Sequence, residues 1–353
     1  MKIYLRNYQN IFMANKSDEI IKRELLDIGE LNNLKLRVFP GGSREDQKHW
    51  VDGGLSFGYG TIMYGSCDGV WYIEKTWQDK LSKRRSEFTP VLAIEGTLAL
   101  ERGSSGNAQY QRFFHALGAV LSGVIGMYYL RAGKDIMRYD LSKAALNASE
   151  LHGVDYFVVD NLKDVKKIVT ALASKNKSDY KRIARNIRKK MGNHFNAVFS
   201  RKFKNNIEEY YKARSIIRLR DMNIKYLAGN YRNFTESSQR GGHIILGEFL
   251  MAKYMLKEPF YFLLPRLLPQ EVKKLDKSNK KEWLVLRNDK MGKLITLNDL
   301  GGINPKLEKA ILSLKNEPLG GSKKGGKARS KWIRLMKKLE AEIRSRQIKL
   351  KHE

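Results

Sequence analysis

The sequence reads as an α/β protein, a central mixed sheet flanked by helices, followed by a basic and mainly helical second domain. Three observations predict this. Helical and strand spacings of apolar residues alternate from residue 15 to residue 173. At 353 residues and 42% hydrophobic content, the chain holds material for about two cores. Near Lys175 the composition shifts toward lysine and arginine, and helix signals take over.

The elements follow in order. Asn15 to Gly29 has an apolar stripe at Ile20, Ile21, Leu25 and Ile28, with Ser17 as a cap and Gly29 as a stop. Leu34 to Phe39 is a short strand closed by Pro40-Gly41-Gly42. Leu55 to Tyr64 is extended, and Val70 to Lys75 is a strand behind Asp68-Gly69. Thr76 to Thr89 reads as a charged connection. Val91 to Leu100 is the clearest buried strand. A helix from Ala108 to Ser122 carries Phe113, Leu117, Val120 and Val124 at helical spacing, and Gly123 ends it. Val124 to Leu130 is a strand, Asp140 to Leu151 a helix, Tyr156 to Val159 a strand and Leu162 to Ala173 a helix. The expected boundary places one domain at 1–174 and the other at 175–353.

Composition narrows the function. Sixty-seven basic residues face 37 acidic ones, a formal net charge of +30, which calls for a polyanionic partner. One cysteine, Cys67, excludes a disulfide scaffold and a cysteine-rich zinc site. Phe113 to Leu130 is uncharged, but Gly123 splits it, so no membrane association is expected. No secretory leader is legible, and a cytoplasmic location is expected. No phosphate-binding GxxxxGK[ST] segment and no dinucleotide fingerprint occur.

Glu95 lies inside the apolar run Val91 to Leu100, where an unpaired charge costs several kcal/mol in practice. A bound cation or a basic partner would offset that. Asp68 stands 27 residues earlier at the start of another strand. A hairpin would set the two carboxylates on adjacent strands. Such a pair can hold Mg2+ through hard oxygen ligands and direct water at a phosphodiester.

This helix, three strands, helix and strand, with Asp-Gly opening one strand and a glutamate inside the next, resembles the PD-(D/E)XK nuclease superfamily. With its basic second half, it is similar to a type II restriction endonuclease. The resemblance covers about residues 15 to 170. It implies a restriction-endonuclease-like sheet, Asp68 and Glu95 as catalytic metal ligands, and Mg2+ as cofactor. The family then expects lysine at position 97, where this chain has Thr97. Lys75 is the first replacement considered and Arg102 the second. The family's further helix glutamate corresponds to Glu24 or Glu19. The implied partner is double-stranded DNA in a prokaryotic or phage setting, with a homodimer matching a two-fold symmetric site.

DNA contacts are expected from three regions. The turn and helix start after Glu95 offers Arg102, Ser104, Ser105 and Asn107 to phosphate, and Gln109 and Arg112 share a helix face turned to the site or to the DNA backbone. Lys175 to Arg220 holds 15 basic and three acidic residues, with Arg182, Arg185 and Lys189 at helical spacing. Arg240 and the arm at Lys323 and Lys324 complete the set. The histidines show no zinc-ligand spacing, and His115 reads as a core or boundary residue. The alternative function is a non-catalytic nucleic-acid-binding protein with structural carboxylates.

Overall fold

A computed structural model of the chain describes residues 4–5, 16–38, 55–59, 62–79, 81, 84–98, 105–131, 139–174, 176–219, 223–229, 239–278, 280–317 and 326–345. It is α/β, with a five-stranded mixed sheet flanked by helices. The chain divides into two compact units, 1–105 with 112–197, and 106–111 with 198–353.

The first unit contains β1 (Tyr4–Leu5), α1 (Lys16–Ile28), β2 (Lys35–Val38), β3 (Leu55–Tyr59), β4 (Ile62–Ser66), β5 (Gly69–Gln78) and β6 (Arg84–Thr97). Next come α2 (Ser105–Leu121), β7 (Ile125–Leu130), α3 (Tyr139–His152), β8 (Tyr156–Val159), α4 (Leu162–Ala173) and α5 (Lys177–Phe203). The main sheet runs β2-β5-β6-β7-β8. Its first three strands pair antiparallel and its last three parallel. A parallel neighbour needs a long crossover, and α2 makes the one between β6 and β7. A small sheet joins β1, β3 and β4.

Helix α1 forms because Ile21, Leu25 and Ile28 recur on one face, and all three are buried. It approaches the sheet closely at two glycines. A β-carbon on Gly96 would stand 2.5 Å from Ile21 Cγ2, and one on Gly69 would stand 2.8 Å from Leu25 Cδ1. Helix α2 covers the other face. Its stripe of Phe113, Ala116, Leu117 and Val120 is buried, and Gly126 of β7 lets the Ala116 carbonyl come within 2.6 Å of where a β-carbon would be. Gly123, at φ +77°, turns the chain out of α2, so the uncharged stretch is a helix and a strand as expected. No helix among the described residues is long and apolar enough to cross a membrane.

The boundary expected at 174/175 moves to 197/198. Charge marks the start of α5 in sequence, but packing ties that helix to the first unit. Arg188 and Tyr180 both engage Asp155, Lys190 Nζ reaches Asp164 Oδ2 at 2.7 Å, and the Val158 amide donates to Met191 Sδ.

The second unit, read from sequence as mainly helical, also holds a four-stranded sheet. It holds α6 (Ile207–Ala213), β9 (Ile217–Arg218), β10 (Tyr226–Gly229), α7 (Gln239–Leu256), β11 (Phe260–Leu263), α8 (Pro269–Lys277) and α9 (Lys281–Arg287). β12 (Gly292–Ile295), α10 (Pro305–Leu312) and α11 (Gly326–Ser345) follow. The strands order β12-β11-β10-β9, with β10, β11 and β12 parallel. Trp332, Leu335, Leu339 and Ile343 of α11 enter the same core as Leu227, Tyr261 and Ile295. Arg266 is buried there and donates to the carbonyls of Leu314 and Glu317.

Candidate functional site

The site lies at one end of β5 and β6. Gly69 pairs with Ile94 across the antiparallel ladder, so the next step outward sets Asp68 beside Glu95. Asp68 Oδ2 accepts the Gly96 amide at 2.7 Å. The two carboxylates singled out from sequence are therefore neighbours.

Side chains alternate along a strand, so Glu95 points away from the α1 face that Gly96 borders. It points toward α2. There Arg112 Nη1 stands 3.3 Å from Glu95 Oε1 and 2.9 Å from the Gly96 carbonyl. His115 Nδ1 lies 3.5 Å from the same Glu95 oxygen. Glu95 is only 4% exposed at its side chain, and the Arg112 guanidinium supplies the charge balance that burial demands. Cys67 Sγ donates to the His115 carbonyl, which ties the β4–β5 junction to α2. Burial, and then the charges of Glu95 and Asp68, push the Cys67 thiol well above its ordinary range.

Arg112, expected on a helix face turned to the site or to the DNA backbone, stands on the site side. It holds Glu95 and the adjacent carbonyl. His115, read from sequence as a core or boundary residue, also stands at the site. The available signal was spacing: residues 112 and 115 are one helical turn apart and share a face.

Thr97 is half-buried, two residues beyond Glu95 on the same face of β6, and its carbonyl accepts the Arg131 amide at 2.8 Å. Lys75 does not join the site. It is exposed on β5 opposite Glu87, seven residues from Asp68, or about 23 Å at strand rise. Glu24 is not brought to Glu95 either. It sits on the α1 side of the sheet, where Tyr129 Oη donates to Oε2 at 3.0 Å and Arg131 Nε to Oε1 at 2.5 Å. Burial, and then Glu24, raise the Tyr129 hydroxyl pKa. Among the described residues, no group of three or more histidine, cysteine, aspartate or glutamate side chains is placed to share a metal ion.

Arg182, Arg185 and Lys189 are exposed on α5, and Arg182 pairs with Asp179 at 3.3 Å. A cavity of about 460 Å³ runs between α4 and α5, with Lys167, Arg182, Lys189 and Lys190 on its walls. One carboxylate, Asp164, faces it. Burial pushes the Asp164 carboxyl up, but hydrogen bonds from Lys190 and Asn161 and the charges of Lys190 and Lys167 outweigh that and hold it below its ordinary value. Arg102, Ser104, Lys323 and Lys324 lie outside the described residues. So do the side chains of Glu19, Ser105, Asn107, Gln109 and Arg240, whose backbones are helical.

No protein-family model matches the chain, and comparisons with curated proteins and with solved structures gave no match either.

Proposed function

We propose that the chain is a metal-dependent endonuclease acting on double-stranded DNA, built on a PD-(D/E)XK-like core. The observation that carries this reading is the juxtaposition of Asp68 and Glu95 at the ends of neighbouring antiparallel strands. The element order supports it: a helix, the antiparallel strands β2, β5 and β6 with β3 and β4 inserted between the first two, a crossover helix and a parallel strand. The basic groove between α4 and α5, and the +30 formal charge, support a nucleic-acid substrate.

The residues fit a divalent cation. Two carboxylates and the Gly96 carbonyl offer hard oxygen donors at one strand end. One cationic group, the Arg112 guanidinium, already spans Glu95 and that carbonyl. Mg2+ bound there would supply Lewis-acid polarisation of a phosphodiester and a lowered pKa for an attacking water. The protein's own share is positional. The Gly96 amide fixes the Asp68 carboxylate, and the β5–β6 ladder holds it against Glu95. Arg112, if released from Glu95, would offer its guanidinium to a phosphate oxygen in a forked pair. In the family pattern lysine provides that charge from position 97; here α2 provides it, and neither Lys75 nor Thr97 is required to.

The test is digestion of plasmid or phage DNA with purified protein in Mg2+ and in EDTA. Discrete fragments that need Mg2+ are expected, lost in Asp68→Ala and Glu95→Ala while duplex binding persists. Full activity in either variant overturns the site.

One observation favours a second reading. Arg112 bridges the very oxygens a metal would need, so the carboxylates could serve a binding protein that never cleaves. Salt-sensitive duplex binding with no cleavage under any divalent cation would select that reading.

A further inference from the structure

The β5–β6 hairpin continues past the sheet. β2 pairs with β5 only from Gly69 to Tyr72, and β7 pairs with β6 only from Leu92 onward. The six pairs from Ile73–Thr89 to Gln78–Arg84 have no third strand beside them among the described residues. They form a two-stranded ribbon about 17 Å long. Its root is braced, because Arg37 of β2 stacks on Tyr72 and Phe88, whose rings pack edge to face at 5.5 Å.

The outer part carries what a folded core hides. Trp77 is 49% exposed and Leu81 is 74% exposed. Lys75, Thr76 and Gln78 are exposed beside them. The sequence from Lys80 to Arg85 has four basic residues and no acidic one. Arg85 stands directly opposite Trp77 in the ladder and Arg84 opposite Gln78. From Ile73 to Thr89 the ribbon has five basic and three acidic residues, with the basic ones concentrated toward its tip. An exposed tryptophan beside that basic tip is complementary to a polyanion with stacked bases, and a two-stranded ribbon fits the major groove of a duplex.

We propose that this ribbon is a DNA-binding arm, which enters a groove of the duplex with Trp77 at the contact and Lys75, Arg84 and Arg85 on the phosphates. The assignment rests on reading the chain as a DNA-binding protein, but not on cleavage. Trp77 lies about 30 Å along the strands from Asp68, so the arm acts in binding rather than in chemistry.

The experiment uses the full chain in EDTA with a fluorescein-labelled 24-base-pair duplex, read by anisotropy from 100 to 300 mM salt. Removing one phosphate-binding cation lowers the slope of log K against log salt by about 0.9. The triple variant Lys75→Ala/Arg84→Ala/Arg85→Ala is expected to lower the slope by about 2 to 3 and weaken binding at least tenfold. Unlabelled duplex is expected to quench tryptophan fluorescence of the wild type and not of Trp77→Phe. A slope within 0.5 of wild type, or quenching that persists in Trp77→Phe, overturns the arm. So does quenching by phosphatidylserine vesicles where duplex gives none. If the wild type binds and cleaves DNA while the variants behave alike, only the arm fails. If the wild type binds no duplex at any salt, the arm and the proposed function fail together.

Discussion

Replacing Arg112 with glutamine isolates the charge balance on which the site depends. The guanidinium lies 3.3 Å from Glu95 Oε1 and 2.9 Å from the Gly96 carbonyl, and the substitution removes both interactions. Removing one partner of a fully buried ion pair costs about 3–5 kcal/mol. Three features reduce that here. The Arg112 side chain is 22% exposed, so water reaches the vacated side. His115 remains 3.5 Å from the carboxylate. Glutamine can donate to one of the two oxygens. A loss of about 2 kcal/mol is the working value, and in a unit of this size it lowers Tm by roughly 4–8 °C. Differential scanning calorimetry in EDTA measures it. Glu95→Gln/Arg112→Gln should recover most of the loss, because no charge is left to compensate. Divalent cation adds a second axis. At a hundred times its Kd, a ligand stabilises by about 2.7 kcal/mol, enough to offset the substitution. Mg2+ is expected to raise the Tm of Arg112→Gln more than that of wild type, since the competing cation is gone. A Tm change under about 1 °C in EDTA refutes the charge-pair argument. Equal stabilisation of both proteins by Mg2+ refutes the view that metal and Arg112 share the same oxygens.

Two further predictions test the scaffold. Gly126→Ala puts a β-carbon 2.6 Å from the Ala116 carbonyl and 2.7 Å from Val120 Cγ2; backbone cannot move aside cheaply, so a cost of about 1–3 kcal/mol is expected, read as a lower first-unit Tm. An unchanged Tm would refute the close approach of α2 to β7. Lys190→Met removes a 2.7 Å partner of Asp164, a carboxyl held below its ordinary value. A depressed folded pKa gives stability that is present above the unfolded value, about 3.9, and lost as pH falls through the folded one. Lys190 is 61% exposed and Lys167 remains as a partner, so the gap from wild type in urea unfolding is expected to be about 1 kcal/mol or less at pH 7. The gap should close toward pH 3; one of the same size at both pH values would refute the pairing.

The parts of the fold with a strong local period were legible in sequence. The stripe of Ile21, Leu25 and Ile28 marks α1, Gly123 ends α2, and the β8 and α4 ranges are those read from the residues. The ribbon was not legible. Residues 76 to 89 hold only three apolar side chains, Trp77, Leu81 and Phe88, which do not alternate along the segment, and its strand character comes from extending a register set inside the core. The second-unit strands were hidden for the opposite reason. Phe260 to Leu263 is apolar at every position because both faces are buried, and four such residues fit a helix equally well.

The site divides along the same line. A carboxylate within an apolar strand is anomalous wherever that strand goes, so Glu95 could be found without the fold, and Asp68 by its position at a strand start. Lys75 failed because its distance from Asp68 depends on which end of β5 each residue occupies, and the strand runs seven residues between them. That Arg112 and His115 pair with Glu95 could not be found in this way. They lie 17 and 20 residues after Glu95, and they reach it only because α2 crosses the face opposite α1. The helix that covers the sheet also delivers the cation to its buried carboxylate, so packing and charge balance are a single constraint at this position. A substitution that shifts α2, such as Gly126→Ala, should therefore weaken the Arg112–Glu95 pair without touching either residue. The checkable consequence is that the Arg112→Gln penalty, measured again in the Gly126→Ala background, falls below its value in the wild type.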